Sequence, residues 1–468
     1  MIELEFIGAA RTVTGSKHLL RTSKASVLLD CGLFQGHRQE AFEKNRNIPV
    51  DVKKIDAVVL SHAHIDHSGA LPALYKMGYR GSIFATPATR DLCSPMLMDT
   101  ANIMRSDAVH IEKLISKGVQ GLTPAEPLYD QDDVIGTLGL MVGLPYHRKQ
   151  LIAPGIELTL IDAGHILGSA ICVLDIEDAG EHKRLAFTGD LGRKHLPILR
   201  DPEIPEGVSC LLMESTYGDR RHDPIEPTSK ALSDAINHAF KRGGKIVVPT
   251  FALERAQEII YILKKLREKK EIPNIPVYVD SPLTVKLTDV FKLHPECYDL
   301  EFFEVLHGRE SPFEFPGLTY VSSVEDSKRI DSEIVSSVIL SASGMCEGGR
   351  ILHHLQATIE DPKNMILIVG YQAEHTLGRG IVEKRSEVKI FGQAQALNAE
   401  VRVLNGFSAH ADQTDLIAFA QAVAVKGNLE RIVLVHGEHK AQEALSQQLT
   451  YQKFQQVNIP KPGETIEI

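Results

Sequence analysis

The chain has 468 residues, of which 43% are hydrophobic and 24% are charged, and its formal net charge is −10. These proportions are typical of a globular protein and exclude a disordered, collagen-like or coiled-coil chain. The length predicts two to four domains, or one domain that carries a large insertion. The acidic balance excludes a globally basic nucleic-acid binder, although it permits a local basic groove.

The N-terminal residues lack the basic segment followed by an apolar segment that marks a secretory leader. The sequence also lacks an apolar run of about 18 residues, so we expect no membrane partner and a cytoplasmic location. The six cysteines are scattered without CxxC spacing. We therefore expect reduced, mostly buried thiols rather than disulfides or cysteine-bound metal.

Short apolar runs separated by turns predict strands in the first third of the chain, in IELEFIGAA, SKHLLRTS, SVLLDCG and KKIDAVVLSHAH. Residues 87–118 predict a packed helix. From about residue 208, continuous apolar runs alternate with helix-like segments, which predicts a parallel sheet covered by helices. These runs are VSCLLMES, GGKIVVPT, NIPVYVDS, SSVILSAS and NMILIVGY. Short strands return after about residue 390, so we expect the middle segment to be inserted into a first domain that the C-terminus completes.

The strongest motif is SHAHIDHSG at residues 61–69, directly after the apolar run AVVL. His62 and His64 are two residues apart at a strand end, so they face the same way. Asp66 and His67 follow in the next turn. Imidazole and carboxylate are the ligands of zinc and similar divalent ions. Three histidines and one aspartate so close together predict a metal site rather than an ordinary polar loop.

Three other predicted strands lead into a candidate ligand. His165 follows IELTLIDA, Asp190 ends KRLAFTGD, and His436 ends RIVLVHG. Each by itself is compatible with an ordinary loop residue, but with the first motif they supply seven ligands. Seven ligands suit two metal ions about 3.5–4 Å apart that share one carboxylate. Such a pair predicts hydrolysis at a phosphate or acyl centre.

At these residues the sequence resembles the metallo-β-lactamase superfamily, whose HxHxDH motif is HAHIDH here. The segments MESTYGDR, FSAHADQ and LVHGEH resemble motifs A, B and C of its β-CASP nucleases, in the expected order, and the resemblance spans nearly the whole chain. It implies an α/β fold, namely a metallo-β-lactamase αββα sandwich with an inserted parallel-sheet β-CASP domain. We expect residues 1–207 and 389–468 to form the sandwich and residues 208–388 to form the insert.

The resemblance also implies a cofactor of two Zn²⁺ ions, with Mn²⁺ as the alternative because histidine-rich sites accept both ions. One ion would be bound by His62, His64 and His165. The second ion would be bound by Asp66, His67 and His436, and Asp190 would bridge the two.

Three residues would have catalytic roles by the same resemblance. His410, in FSAHADQ, would donate a proton near the leaving oxygen. Glu214, in MESTYGDR, would accept a hydrogen bond from His410 and keep that ring oriented and protonated. Asp66 would orient the attacking hydroxide or accept its proton, besides binding metal.

The predicted insert holds a second group of candidates, for binding the substrate phosphate. Ser343 and Gly344 precede a glycine-rich stretch and a helix whose free N–H groups can hold a phosphate, and Arg350 could add a charge-assisted bond. Ser281 is a similar candidate. An ordinary strand-to-helix turn is the alternative for each of them.

We also make structural predictions for three histidines of the predicted insert. We expect His353 and His354, inside the helix that follows Arg350, to be packing or surface residues rather than metal ligands. His375 occupies a position where the family usually has glycine, which suggests that the φ angle there need not be positive.

We therefore expect a zinc-dependent ribonuclease that hydrolyses phosphodiester bonds of single-stranded RNA through a two-metal-activated hydroxide. Endonucleolytic cleavage is the expected mode, with 5′-exonuclease action as an alternative. Two other classes remain open: a small-molecule metallohydrolase of the same fold, and a noncatalytic subunit of an RNA-processing complex. The oligomeric state is also open, with a homodimer as one alternative.

Overall fold

The structure is a computed structural model that describes residues 1–36, 38–119, 126–222, 225–308, 311–370, 372–373 and 375–468. The chain divides into two compact units. The first comprises Met1–His195, Arg200–Arg221 and His410–Ile468, and the second comprises Leu196–Leu199 and His222–Ala409. Within the described ranges, no helix has the length and apolar character needed to cross a bilayer. All six cysteines are free and buried, as expected.

The strands of the described residues are numbered β1 to β22 in chain order. They are Glu3–Gly8, Lys17–Arg21, Ser26–Leu29, Ala57–Val59, Ser82–Ala85, Met141–Gly143, Gln150–Ala153, Ile156–Asp162, Ala170–Asp178, Glu181–Phe187, Cys210–Met213, Ile246–Pro249, Val277–Val279, Leu318–Tyr320, Val338–Ser341, Met365–Ile368, Glu387–Ile390, Gln393–Ala396, Glu400–Val403, Arg431–Leu434, Val457–Asn458 and Thr465–Glu467.

The α-helices of the same residues are numbered α1 to α14. They are Arg38–Arg46, Ile65–Ser68, Leu71–Lys76, Pro87–Ser116, Gln131–Leu138, Ile225–Lys241, Arg255–Glu268, Pro282–Phe291, Leu300–His307, Val324–Ser332, Ile351–Thr358, Leu377–Val382, Gln413–Lys426 and His439–Tyr451. The helix expected over residues 87–118 is confirmed as α4. Three short 3₁₀ turns lie at Val52–Lys54, Pro295–Cys297 and Asn405–Phe407.

The first unit contains two seven-stranded sheets, in the orders β22-β1-β2-β3-β4-β5-β6 and β21-β20-β11-β10-β9-β8-β7. A single core cluster holds Leu4 and Val59 of the first sheet together with Leu174 and Leu212 of the second, so the two sheets pack face to face. Helices α13 and α14 cover the outer face of the second sheet through side chains such as Leu445. The expected sandwich architecture is confirmed.

Strand direction brings several chain segments to one edge of each sheet. Strands β10, β11 and β20 are parallel neighbours, and β8 has the same direction because β9 is antiparallel to both β8 and β10. In the other sheet, β3 and β4 are parallel. The carboxyl ends of these strands therefore meet at common edges, which is where polar residues from distant parts of the sequence can converge.

The second unit is built on a six-stranded sheet in the order β14-β13-β15-β12-β16-β19. All its neighbouring strands are parallel, as the continuous apolar runs predict. A separate antiparallel pair, β17 and β18, packs its buried side chains into the same core, including Val388 and Ile390.

The compact units differ from the boundaries expected at residues 208 and 388. Strand β11 was expected in the insert, but it pairs with β10 and β20 of the first unit. Strand β19 was expected in the C-terminal part of the sandwich, but it pairs with β16 of the second unit. Both units contain buried parallel strands, so an apolar run is compatible with either sheet and its composition does not decide which one it joins.

The φ angle of His375 is +67°, so this position has the left-handed conformation although its residue is not glycine. The residue directly precedes Thr376, whose side chain caps α12 by accepting a hydrogen bond from the Arg379 N–H. A histidine in the left-handed region carries a backbone strain of about 1–2 kcal/mol that glycine would avoid.

Candidate metal centre

The seven expected ligands converge within the first unit. The motif at residues 62–67 follows β4 and enters the short helix α2, and the other three ligands follow β8, β10 and β20. Among the described residues, ligand atoms within 4.8 Å of one another form three groups. The first is His62, His64, His165 and Asp190, and the second is Asp66, His67 and His436. The third, Asp190, Glu214 and His436, overlaps the other two.

The first group has the spacing of a tetrahedral site. Nδ1 of His64 lies 3.1 Å from Nε2 of His62 and 3.3 Å from Nε2 of His165. Oδ2 of Asp190 lies 3.5 Å from Nε2 of His62 and 3.6 Å from Nε2 of His165. Zinc bonds of 2.0–2.1 Å place neighbouring ligands of a tetrahedron about 3.3 Å apart. These four donors therefore fit a single ion.

The second group shares Asp190 with the first. Nε2 of His436 lies 3.2 Å from Nε2 of His67 and 3.5 Å from Oδ2 of Asp66. The same Oδ2 of Asp190 that faces the first group lies 3.4 Å from Nε2 of His67. The other oxygen, Oδ1 of Asp190, is buried and lies 3.0 Å from Nδ1 of His436. A buried carboxylate among histidine nitrogens is a common arrangement for binding cations, so the donor set fits two metal positions that share Asp190.

Three polar side chains contact ring nitrogens of these ligands. Nδ1 of His67 lies 2.7 Å from Oδ2 of Asp30, and Nδ1 of His62 lies 3.0 Å from Oγ of Ser61. Nδ1 of His436 lies 3.2 Å from Oγ1 of Thr216 and 3.0 Å from Oδ1 of Asp190. Such contacts orient a ligand ring and set its tautomer. Sequence reasoning gave Asp30, Ser61 and Thr216 no role. The available signal for Asp30 was an acidic residue at the end of the apolar run SVLL.

A glycine that sequence reasoning also missed supports the ligand turn. The Cys31 N–H donates to the His67 carbonyl oxygen at 2.8 Å, which brings the following residue, Gly32, against the backbone of Asp66. A Cβ atom added at Gly32 would lie 1.6 Å from the Asp66 carbonyl oxygen and 2.6 Å from the His67 nitrogen. The loop after β3 can therefore hold this turn only if position 32 has no side chain.

The histidines of the first group are kept neutral. Burial lowers the pKa of His62 and His165 well below the ordinary value, and neighbouring histidines act in the same direction. Burial lowers the pKa of His64 to about 4, although Asp66 and Asp190 oppose it. Neutral imidazole is the form that binds metal, so these three rings can bind an ion without first losing a proton.

The shared carboxylate and His67 behave differently. Burial would raise the pKa of Asp190, but the neighbouring His436 and His67 outweigh it and hold that pKa well below its usual range. Burial would lower the pKa of His67, but Asp190 and Asp30 outweigh it and raise that pKa well above its usual value. Metal binding at the second position therefore requires His67 to release a proton.

The expected contact between Glu214 and His410 is confirmed. Both carboxylate oxygens of the buried Glu214 lie 3.2 Å from Nδ1 of His410. The Leu191 N–H donates to the same carboxylate at 2.6 Å, which fixes its position. Burial would lower the pKa of His410, but Glu214 and Asp190 outweigh it and raise that pKa to about 9. Nδ1 of His410 also lies 4.0 Å from Oδ2 of Asp190, so this protonated ring stands beside the metal positions.

The expected phosphate-binding residues lie in the second unit, where their polar groups make contacts within that unit. Oγ of Ser281 caps α8 by accepting from the Thr284 N–H, and Oγ of Ser343 accepts from the Glu347 N–H. The Gly344 carbonyl oxygen accepts from Gln372. The role of these three residues in phosphate binding stays a prediction.

Arg350 is also engaged inside the second unit. Its guanidinium donates to the Asp280 carboxylate at 2.5 Å and to the Ser322 carbonyl oxygen at 2.6 Å. These contacts restrain the side chain, and its predicted contact with substrate phosphate is untested. In the same helix, His354 is buried and His353 is exposed, so one is a packing residue and the other a surface residue.

Three protein-family models match the chain. They are the metallo-beta-lactamase superfamily over residues 14–76, the Beta-Casp domain over residues 256–381 and the Zn-dependent metallo-hydrolase RNA specificity domain over residues 395–460.

Curated relatives match along nearly the whole chain. Ribonuclease TTHA0252 of Thermus thermophilus is 36% identical over 98% of this chain and 99% of its own. Transcription termination factor FttA of Methanosarcina mazei is 32% identical over 94% of this chain and 67% of its own length. A crystal structure of a protein of unknown function from Enterococcus faecalis has a TM-score of 0.54 and 14% identity over 99% of both chains, which shows a shared fold.

Proposed function

The chain belongs to the β-CASP family of the metallo-β-lactamase superfamily and is a metal-dependent ribonuclease, and we propose that it hydrolyses phosphodiester bonds of single-stranded RNA at a centre of two zinc ions. The donor geometry supports the proposal. Seven side chains surround two metal positions, and one of them, Asp190, contributes to both. Mn²⁺ is the alternative ion, because the same donors accept it.

Each metal position would have its own ligands. His62, His64 and His165 would hold the first ion, Asp66, His67 and His436 would hold the second, and Asp190 would contact both. When bound, the ions would supply Lewis-acid polarisation of the scissile phosphate and would lower the pKa of a water molecule toward neutrality.

The protein's own acid–base groups complete the proposal. Glu214 accepts a hydrogen bond from Nδ1–H of His410, so Nε2–H is the group of this ring that would donate to the substrate. A pKa of about 9 keeps His410 protonated at neutral pH. We propose that it donates a proton to the leaving 3′ oxygen, which would leave a 3′-hydroxyl and a 5′-phosphate. Asp66, whose pKa is lowered by His436 and His67 against the effect of burial, would orient the attacking water or accept its proton.

Endonucleolytic cleavage is the proposed mode, and 5′-exonuclease action is the second. A role in transcription termination is a further candidate, since FttA proteins are similar along most of this chain, although about a third of their length has no counterpart in the match. A noncatalytic role is disfavoured because the ligand set is complete.

We propose residues 222–409 as the β-CASP insert, in place of residues 208–388, because strand pairing follows these bounds.

Three further proposals concern the cellular compartment, the contacts with substrate and the oligomeric state. Six free, buried thiols support a reducing compartment, and we propose the cytoplasm. Ser281, Ser343, Gly344 and Arg350 remain proposed contacts for substrate phosphate, and a homodimer remains a proposed assembly.

The test is an RNA cleavage assay with purified protein and single-stranded RNA, with and without a chelator, beside a measurement of bound metal. We expect about two metal ions per chain, chelator-sensitive cleavage, and loss of activity in His62→Ala and in His410→Ala. His182→Ala, which changes an exposed histidine of the same unit, is the control. Comparing 5′-triphosphate and 5′-monophosphate RNA separates internal from 5′-dependent cleavage. Chelator-insensitive cleavage, or full activity in His62→Ala, would contradict the proposal.

A further inference from the structure

The hairpin of β17 and β18 turns on two residues, Phe391 and Gly392. Ile390 pairs with Gln393 across the turn, and the two central φ angles are +50° and +77°. Two positive φ angles define the type I′ pattern, for which Asn-Gly is the preferred pair. A bulky phenylalanine in the left-handed region is therefore an outlier that local backbone preference does not explain.

The ring of Phe391 does not compensate for this strain by burial. The hairpin is anchored by Val388 and Ile390, which are buried in the core of the second unit, whereas Phe391 is 51% exposed. Next to it stands His353, an exposed residue of α11, with a distance of 4.7 Å between the ring centroids and an angle of 41° between the ring planes. The exposed ring of Phe391, on a turn anchored in the core, therefore lies beside the exposed ring of His353 on α11.

We propose that Phe391 and His353 form a stacking platform for one nucleobase of single-stranded RNA. The proposal rests on the proposed function, because it needs an RNA substrate. Aromatic rings bind bases of any sequence through their flat faces, and such stacking is a common way to hold single strands. Backbone strain at a half-exposed ring points to a ligand.

The charges near the platform favour a base rather than a purely electrostatic contact. The exposed side chains of β17 are Glu387 and Lys389, which carry opposite charges. A protein with a net charge of −10 gains little from long-range attraction to phosphates, so stacking is the contribution that this surface can make. Two rings are also far smaller than the roughly 800 Å² per partner of a stable protein interface.

The deciding variant is Phe391→Asn, because asparagine tolerates the left-handed turn while removing the ring. We expect its melting temperature to be equal to or above that of the wild type, and its Kd for single-stranded RNA to rise about tenfold, within the range that one stacked base contributes. Phe391→Trp should keep the wild-type Kd. Phe240→Ala, which removes another partly exposed phenylalanine of the same unit, is the matched control.

Binding is measured by fluorescence anisotropy on phosphorothioate-linked single-stranded RNA, which is hydrolysed slowly. A second RNA carries 2-aminopurine, whose emission is quenched when it stacks on an aromatic ring. Quenching by the wild type and its loss in Phe391→Asn are expected. The dependence of Kd on salt should not change in Phe391→Asn, because no cation is removed.

Each other outcome has a distinct meaning. Wild-type protein that neither binds nor cleaves RNA overturns the proposed function and the platform together. Chelator-sensitive cleavage by the wild type, with equal Kd in Phe391→Asn, overturns the platform and leaves the function intact. A lowered melting temperature in Phe391→Asn assigns the ring to folding, and loss of self-association with unchanged RNA binding assigns it to a protein contact. Either result overturns the platform.

Discussion

Oδ2 of Asp30 lies 2.7 Å from Nδ1 of His67, and the opposite nitrogen of the same ring lies 3.2 Å from His436. Asp30 is buried and also accepts from the Ser61 N–H at 2.8 Å, so its carboxylate is held in place. It therefore orients His67 toward the second metal position.

The first prediction concerns this contact. Asp30→Asn should weaken metal binding by about 10- to 100-fold, because the ring of His67 loses the negative partner that fixes its tautomer. Affinity is measured by competition with a chromophoric chelator. Asp56→Asn changes an exposed carboxylate that accepts a hydrogen bond from the Ser26 N–H, and this variant should bind metal as the wild type does. Unchanged affinity in Asp30→Asn would show that the contact does not act on the ligand.

The second prediction concerns Gly32. In Gly32→Ala the new methyl group would meet the Asp66 carbonyl oxygen, which belongs to backbone and cannot rotate away. We expect the variant to be destabilised by about 3 kcal/mol, at the upper end for overpacking, and to lose metal at the second position. Denaturant unfolding and metal content are the measurements. Gly143→Ala is the control, because its nearest neighbour would lie 3.5 Å away. A fully metallated, stable Gly32→Ala protein would contradict the prediction.

The third prediction concerns the charge of Glu214. Because this carboxylate raises the pKa of His410, Glu214→Gln should lower that pKa. A general acid is active while protonated, so activity is lost as pH rises through its pKa. The alkaline limb of the pH–rate profile should therefore move to lower pH in Glu214→Gln, and His410→Ala should reduce kcat by about 100-fold or more. An alkaline limb at the same pH in both proteins would exclude His410 as the group that titrates there.

The fourth prediction concerns a buried cluster of the second unit. Nε2 of His354 lies 2.8 Å from Oδ2 of Asp280, and its Nδ1 lies 2.6 Å from Oδ1 of Asp331. Burial would lower the pKa of His354, but the hydrogen bonds to the two carboxylates outweigh it and raise that pKa. A group with a raised folded-state pKa stabilises fully below its ordinary pKa of about 6.5, and the contribution disappears as pH rises through the folded-state value.

The free energy of unfolding of the wild type should therefore decline as pH rises above about 6.5. In His354→Gln this decline should be flatter, and the free energy of unfolding at pH 6 should be lower by about 2 kcal/mol. Denaturant unfolding at several pH values is the measurement. His353→Gln, at the exposed neighbouring histidine, should follow the wild type. Equal pH dependence in wild type and His354→Gln would assign the decline to other groups.

Much of the site was predictable because ligand chemistry depends on residue type. The spacing of His62, His64 and His67 around a strand end is local, and so is the placement of Asp190 at the end of β10. The pairing of Glu214 with His410 followed from the family motifs, and the structure has it at 3.2 Å. The supporting contacts of Asp30 and Gly32 were not predictable. The type of residue does not indicate that Asp30 contacts the His67 ring or that Gly32 packs against the Asp66 backbone.

The sequence by itself determined the donors of the metal centre, because ligand chemistry depends on residue type. It also determined the alternation that makes the second unit a parallel sheet, because that pattern depends on residues close together in the chain. Only the tertiary structure decided that β11 joins the first unit and β19 the second, and that His67 meets a histidine 369 residues away. The positive φ angle of His375 is likewise visible only in the structure. The physical reason is that sheet membership and close approach depend on shape and hydrogen bonding between distant segments, which the composition of either segment leaves open.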